Sequence, residues 1–340
     1  MTDLDIPTAQ PAADWQIYRA ASEPHEGIDQ LPPPPPWRQF DGGPALTLDP
    51  AVLPTPAALA VRARSYEADE ETVTLVNAAM YLRRPLLVTG KPGTGKSTLA
   101  YSIAYELGLG PVLTWPVTSR STLSEALYRY DAIGRLEGGF GGDRAGSAAV
   151  AIGRYLALGP LGTALLPWTR PRVLLIDELD KSDIDLPNNL LHVFEDGRYE
   201  ITELARLPED TPDVEVLTPE GGLVSVHRGR VTCRAFPIVV ITSNGEREFP
   251  PPFLRRCIRV DIAPPRPEAL ARIVAGYFDP GRTTAARDLI REFVGLREHA
   301  DIATDQLLNA IYLVTGESAA PPSLRDALKV ALLRELGTGM

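Results

Sequence analysis

The chain has 340 residues and a formal net charge of −10. At roughly 150 residues per domain this allows about two domains with an appendage, and the 44% hydrophobic and 23% charged content is that of a soluble protein with a real core. Six of the ten net negative charges fall in residues 1–60, so the body is nearly neutral and the first segment acidic, which argues against a protein that coats nucleic acid.

Proline is the outlier of the composition. There are 33 prolines, about twice the usual ~5% share, and twelve of them lie in residues 1–60. Residues 32–36 are five prolines in a row, expected to form stiff polyproline II. Trp15, Ile17, Tyr18, Trp37 and Phe40 surround that run. The segment reads either as a linker or as an extended arm whose aromatics anchor it on its own body or on a neighbouring subunit. Cys233 and Cys257 form no CxxC and sit near no histidine cluster, so neither a zinc site nor a disulfide framework is expected, in keeping with a reducing compartment. The first residues have no basic start and no apolar core. The most apolar stretch, 155–167, is short and broken by proline and glycine. No signal peptide, no membrane partner and a cytoplasmic location are therefore expected.

From residue 67 the pattern becomes periodic. A helix is predicted over 67–82, a short apolar strand over 86–89, a glycine-rich turn, and then a helix with Leu99, Ile103 and Leu107 on one face, stopped at Gly108. Further strands are expected over 112–115, 173–176, 238–242 and 258–262. Helices are expected over 121–130 and over 186–195, the latter with Pro187 in its first turn. Residues 138–146 hold five glycines and read as a mobile loop. Two β-rich runs around Pro219, Glu220, Gly221 and Gly222 predict a hairpin over 214–227. Short apolar strands alternating with helices indicate a parallel sheet covered on both faces. After the proline-rich break at 263–267 only helical patterns follow, over 268–278, 285–299, 305–315 and 324–336. The predicted organisation is an acidic, proline-rich arm (1–60), an α/β domain (61–262) and a small helical lid (263–340).

Arginine outnumbers lysine 30 to 4, which reads as coding bias, yet two of the four lysines, Lys91 and Lys96, stand in one loop. That loop, Gly90, Lys91, Pro92, Gly93, Thr94, Gly95, Lys96 and Ser97, fits GxxxxGK[ST] between a predicted strand and a predicted helix. Glycines let backbone N–H groups turn inward around phosphates, and the helix N-terminus adds positive partial charge. Lys96 is expected to reach the β- and γ-phosphates and Ser97 to ligate Mg²⁺, with Thr98 completing the nucleotide-binding set. The strand over 173–176 ends in Asp177, placed to hold Mg²⁺ through water, and Glu178, a candidate general base for the attacking water. Asn244, at the tip of another buried strand, is a candidate to orient that water, although such a residue alone is more often a turn residue. Arg255 and Arg256 precede the last strand, and arginine suits a trans-acting finger; Arg256 is preferred and Arg255 stays open. Arg325 opens the last predicted helix and either reaches back to the nucleotide or is a solvated helix-face residue.

In this order the segments resemble an AAA+ P-loop ATPase: Walker A (90–97), Walker B (173–178), sensor 1 (Asn244), arginine finger (Arg255 or Arg256) and sensor 2 (Arg325). Residues 175–190 look like the MoxR-like branch. The resemblance covers roughly 66–336. It implies a five-stranded parallel sheet flanked by helices with an all-α lid, ATP and Mg²⁺ as ligands, and a homo-oligomeric, usually hexameric ring with ATP between subunits. It also implies partners with von Willebrand factor A domains, remodelling or maturation of client proteins, and substrate contact by the hairpin over 214–227. Three other readings stand beside it: a nucleotide-controlled switch or scaffold in a multi-component defence or signalling system, a DNA-acting motor, which the charge disfavours, and a P-loop kinase.

Overall fold

The computed structural model describes residues 15–48, 57–139, 152–208, 211, 213–297, 302–315, 321, 324, 327–328 and 331–333. Most of the predicted glycine-rich loop, most of the predicted last helix and Arg325 lie outside them. In chain order the strands are β1 (Leu86–Thr89), β2 (Leu113–Pro116), β3 (Tyr128–Tyr130), β4 (Leu156–Leu158), β5 (Val173–Asp177), β6 (Arg198–Glu200), β7 (Val214–Leu217), β8 (Leu223–Val226), β9 (Arg230–Thr232), β10 (Ile238–Ser243) and β11 (Ile258–Asp261).

Five of them form the central sheet in the order β11-β1-β10-β5-β2, with every pairing parallel. This is the five-stranded sheet that the alternation of strands and helices implies. The three inner strands β1, β10 and β5 are apolar over most of their length because both faces are covered, whereas the edge strands carry polar residues, Arg259 and Asp261 in β11 and Thr114 in β2. After α1 (Ala57–Arg64), the helices α2 (Glu70–Leu82) and α3 (Lys96–Glu106) share one apolar layer with Leu86, Val88, Leu175 and Val240. Their neighbours Leu87, Leu174, Ile176 and Ile241 face the other, with Trp115, Leu190 and Phe194. Helix α2 begins three residues later than predicted, because the Asp69 carboxylate accepts the Thr72 N–H at 2.7 Å and caps it.

The predicted helix over 121–130 is corrected. Only Leu123–Leu127 is helical; Tyr128–Tyr130 is β3, paired antiparallel with β4, because the two tyrosines alternate along a strand rather than around a helix. β4 itself, and the helix Pro160–Ala164, occupy the apolar stretch at 155–167. β7 and β8 form the predicted hairpin and join β3 and β4 in a four-stranded sheet. The hairpin turn is tied down: Glu220 forms an ion pair with Arg172, which is 1% exposed. The predicted helix over 285–299 is present as Arg287–Arg297, and a short helix that the sequence pattern did not show, Pro280–Ala285, precedes it. Asp279 caps the short helix, and Pro280 stands in its first turn. With Pro267–Tyr277 and Thr304–Val314 these helices enclose a separate core of Leu270, Val274, Phe293, Leu307 and Ile311.

Residues 15–48 lie on the chain's own α/β body and not as a free linker. Ile17, Tyr18 and Ile28 are buried in the apolar layer of α2 and α3. The amide of Asn77, in α2, accepts the N–H groups of Ile17 and Tyr18 at 2.7 and 3.0 Å and donates to the Tyr18 carbonyl at 2.7 Å. Glu106, the last residue of α3 and 0% exposed, accepts the N–H groups of Arg19 and Ala21 at 2.6 and 2.7 Å and pairs with His25 at 2.9 Å. Burial holds the Glu106 pKa above its ordinary value, and these hydrogen bonds oppose part of the rise. Trp15 packs edge-on against Tyr81, and Phe40 stacks on Phe236. Trp37 is the exception among the arm's aromatics, at 74% exposure. Both cysteine thiols are buried, which pushes each pKa up to about 12. No helix among the described residues is long and apolar enough to cross a membrane.

Replacing Asn77 with Ala leaves two buried N–H groups without an acceptor. The expected loss is about 1–3 kcal/mol of stability, read by urea unfolding, with earlier protease cleavage between residues 15 and 48. Unchanged stability and cleavage would show that the arm is held by something else.

Candidate functional site

The loop between β1 and α3 turns on glycines. Gly90, Gly93 and Gly95 have φ of 144°, 71° and 95°, a region that other residues rarely enter. Gly93 is also confined by space, since a Cβ there would lie 2.2 Å from Ala303 Cβ in the C-terminal helical unit. Lys96 is buried and folds back into the loop, donating to the carbonyls of Gly90 and Lys91 at 2.8 Å each. Burial lowers the Lys96 pKa, opposed by the carboxylates of Asp180, Asp177, Glu178 and Asp261. Thr94 Oγ1 donates to the Lys91 carbonyl at 3.0 Å. The Thr98 hydroxyl accepts from Arg62 Nε at 2.9 Å.

The strand tips meet beside this loop. Ser97 Oγ and Thr242 Oγ1 each donate to Asp177 Oδ1 at 2.7 Å. Thr242 Oγ1 in turn accepts the Glu178 N–H at 2.8 Å. Glu178 stands in a left-handed conformation, φ 61°, that swings its carboxylate off the end of β5. Its Oε1 accepts from the Asn244 amide at 3.3 Å and its Oε2 from Lys181 Nζ at 2.8 Å. The structure thus brings together Gly90–Thr98, Asp177, Glu178 and Asn244.

Pattern reading missed three residues here. Thr242 is a hydroxyl in an apolar strand, a weak signal. Lys181 lies three residues after Glu178. Asp180 is 4% exposed, and its Oδ2 accepts the N–H groups of Asn244 and Glu246 at 2.9 and 3.1 Å, fixing the Asn244 turn. Asp180 and Lys181 are separated from Asp177 and Glu178 by Leu179 alone, and that closeness in sequence is the signal that could have found them.

A cleft of 820 Å³ opens between the loop and the C-terminal helices, lined among others by Arg62, Tyr66, Gly93, Thr98, Ile262 and Tyr277. That volume is in the range of small-molecule sites. A loop turned on positive-φ glycines, a helix N-terminus and a buried ammonium suit the phosphates of a nucleotide lying there. The Ser97 hydroxyl and the Asp177 carboxylate are hard oxygen donors in contact, which fits Mg²⁺ shared with substrate phosphates. Arg255 and Arg256 are not part of this cluster. Arg256 Nε donates to Glu195 Oε1 at 2.8 Å and Arg255 is exposed, and among the described residues neither guanidinium bonds to the loop, Asp177, Glu178 or Asn244. Arg325 lies outside the described residues.

A phosphate beside Lys96 would raise its depressed pKa, so the complex holds a proton that the free protein gives up more readily. Nucleotide affinity is therefore expected to be full below the free-state Lys96 pKa. It should fall as pH rises from there towards the pKa in the complex. Fluorescent-nucleotide titrations against pH check this; Lys96→Met should bind more weakly and lose the slope, and an identical slope in that variant would refute the assignment.

Comparison with curated proteins finds no match. Among solved structures the chain is similar to NtrX from Brucella abortus in complex with ADP, at 16% sequence identity and a TM-score of 0.40, over 83% of this chain and 56% of that one. The chain thus spans little more than half the length of that structure. The model of the AAA domain, dynein-related subfamily, matches residues 85–257. That span runs from just before β1 to just before β11 and includes the phosphate loop, Asp177, Glu178 and Asn244, so the chain belongs to the AAA domain family.

Proposed function

We propose that this protein is an Mg²⁺-dependent ATPase that works as a homo-oligomeric ring, in the manner of MoxR-like proteins, and remodels a partner protein. The observation that carries the hydrolytic part is the placement of Glu178. It stands next to the Ser97–Asp177 pair, with one carboxylate oxygen held by Asn244 at 3.3 Å. A carboxylate beside the phosphate loop is in position to take a proton from a water attacking the γ-phosphate, and Asn244 orients both. Mg²⁺ held by Ser97 and Asp177 would neutralise charge on the phosphate oxygens. Lys96 binds the β- and γ-phosphates. The ring, and an Arg256 or Arg255 finger reaching the neighbour's nucleotide, are supported by the arginines lying away from their own site. The client part, with a von Willebrand factor A domain protein as one candidate, rests on the MoxR-like segment at 175–190 and on the motif order.

A second reading, a nucleotide-controlled switch that turns over slowly, is favoured by Lys181. Its ammonium holds the other oxygen of Glu178 at 2.8 Å, and that hydrogen bond raises the Lys181 pKa and keeps it charged. The two readings separate in the same assay. Under the first, Glu178→Gln should lower ATP hydrolysis about 10²–10⁴-fold while nucleotide binding is retained, and affinity capture with that variant in ATP should retain the ring and its partner. Under the second, wild-type turnover is slow and Lys181→Ala raises it several-fold. No wild-type turnover above the Glu178→Gln level in any variant would remove the hydrolytic reading.

A further inference from the structure

The two arginines before β11 differ in what holds them. Arg255 is exposed, and among the described residues its guanidinium has no hydrogen bond or ion pair. Arg256 is docked, through Nε to Glu195 Oε1 at 2.8 Å and through Nη1 to the Pro252 carbonyl at 3.2 Å. Glu195, near the end of the helix Leu186–Asp196, is held from its other side by Arg38 of the N-terminal segment. Arg38 Nη1 donates to Glu195 Oε2 and to the Glu195 carbonyl, each at 3.4 Å. Arg38 cannot swing away, because it is 6% exposed, lies 4.7 Å over the Phe236 ring and 5.2 Å from that of Phe40, and donates through Nη2 to the Arg83 carbonyl at 2.6 Å. The next residue, Arg84, donates to the Arg255 carbonyl at 3.2 Å. The N-terminal segment thus reaches the Arg255–Arg256 turn by two routes.

We infer that Arg38 and Glu195 are positioning residues for Arg256 as a finger acting on the neighbouring subunit, so that the N-terminal segment takes part in setting the ATPase rate. The inference rests on the ring-ATPase reading above. The Glu195–Arg256 pair is 46% and 41% exposed, and pairs in such exposure add little to stability. Its consequence is orientation. An exposed arginine samples many rotamers, and ordering it only when it meets the transition state raises the barrier. Anchoring through Nε keeps Nη2 and a remaining Nη1 hydrogen available to the oxygens of a transferring phosphoryl group. Glu195 alone would turn towards solvent; a buried, ring-stacked Arg38 gripping both its carboxylate and its carbonyl prevents that.

The test uses the full chain and MgATP. Glu195→Gln and Arg38→Gln are expected to lower kcat by about tenfold or more, with the affinity for a fluorescent ATP analogue unchanged, and Arg38→Lys should recover part of the loss. Mixing Glu195→Gln subunits with Lys96→Ala subunits, whose Arg256 is correctly held, should restore turnover. A purely structural defect would not be rescued in trans. Wild-type turnover with equal or faster turnover in Glu195→Gln overturns this inference and leaves the ATPase reading standing. Loss of kcat without rescue at any mixing ratio overturns the trans positioning role. Absence of wild-type turnover above the Glu178→Gln level overturns the ATPase reading, and the inference with it.

Discussion

Oδ1 of Asp177 accepts two hydroxyls at 2.7 Å, one from Ser97 at the start of α3 and one from Thr242 near the end of β10. That oxygen fastens the phosphate loop to two neighbouring strand tips, and Thr242 extends the clamp to the Glu178 backbone. The rest of the site follows from it. Parallel strands bring their C-terminal ends to one edge, but the sheet alone sets only the backbone. The hydroxyl–carboxylate clamp sets the spacing of Ser97, Asp177 and Glu178. Asp180 fixes the turn that follows β10 by accepting the N–H groups of Asn244 and Glu246.

Much of this was legible because the signals are local. GxxxxGK[ST] needs only a strand before it and a helix after it, and an apolar strand ending in Asp177 and Glu178 announces itself. A parallel sheet could be expected because short apolar strands alternate with helices, whereas the order of its strands could not. What escaped was long-range. β3 and β4 are three residues each, too short for a period, and exist because they pair with each other and with the hairpin. Thr242 gives no sign in sequence that its hydroxyl turns to Asp177. The cleft needs residues from Arg62 to Leu308, which no local pattern connects.

The arm is the clearest case. Composition marks 1–60 as proline-rich and acidic, and both features disfavour a core. Yet Ile17, Tyr18 and Ile28 share an apolar layer with α2 and α3, and the arm's backbone groups are satisfied by Asn77 and Glu106, two buried polar residues that have no other evident purpose. A buried amide and a buried carboxylate on adjacent helices record the presence of a partner strand of chain. They become readable only once the helices are assembled and their inner faces are known.

Gly93 has a mechanical consequence. Its backbone meets that of Ala303 and Thr304 with no room for even a Cβ between them, and the Thr304 N–H faces the Gly93 carbonyl at 3.4 Å. Two main chains in such contact have no side chain that can yield. A displacement of the loop by a few tenths of an ångström must therefore be passed on to the helix Thr304–Val314 and not absorbed. The loop is the short end of a lever whose long end is the C-terminal helical unit, and the glycine is its stiff fulcrum.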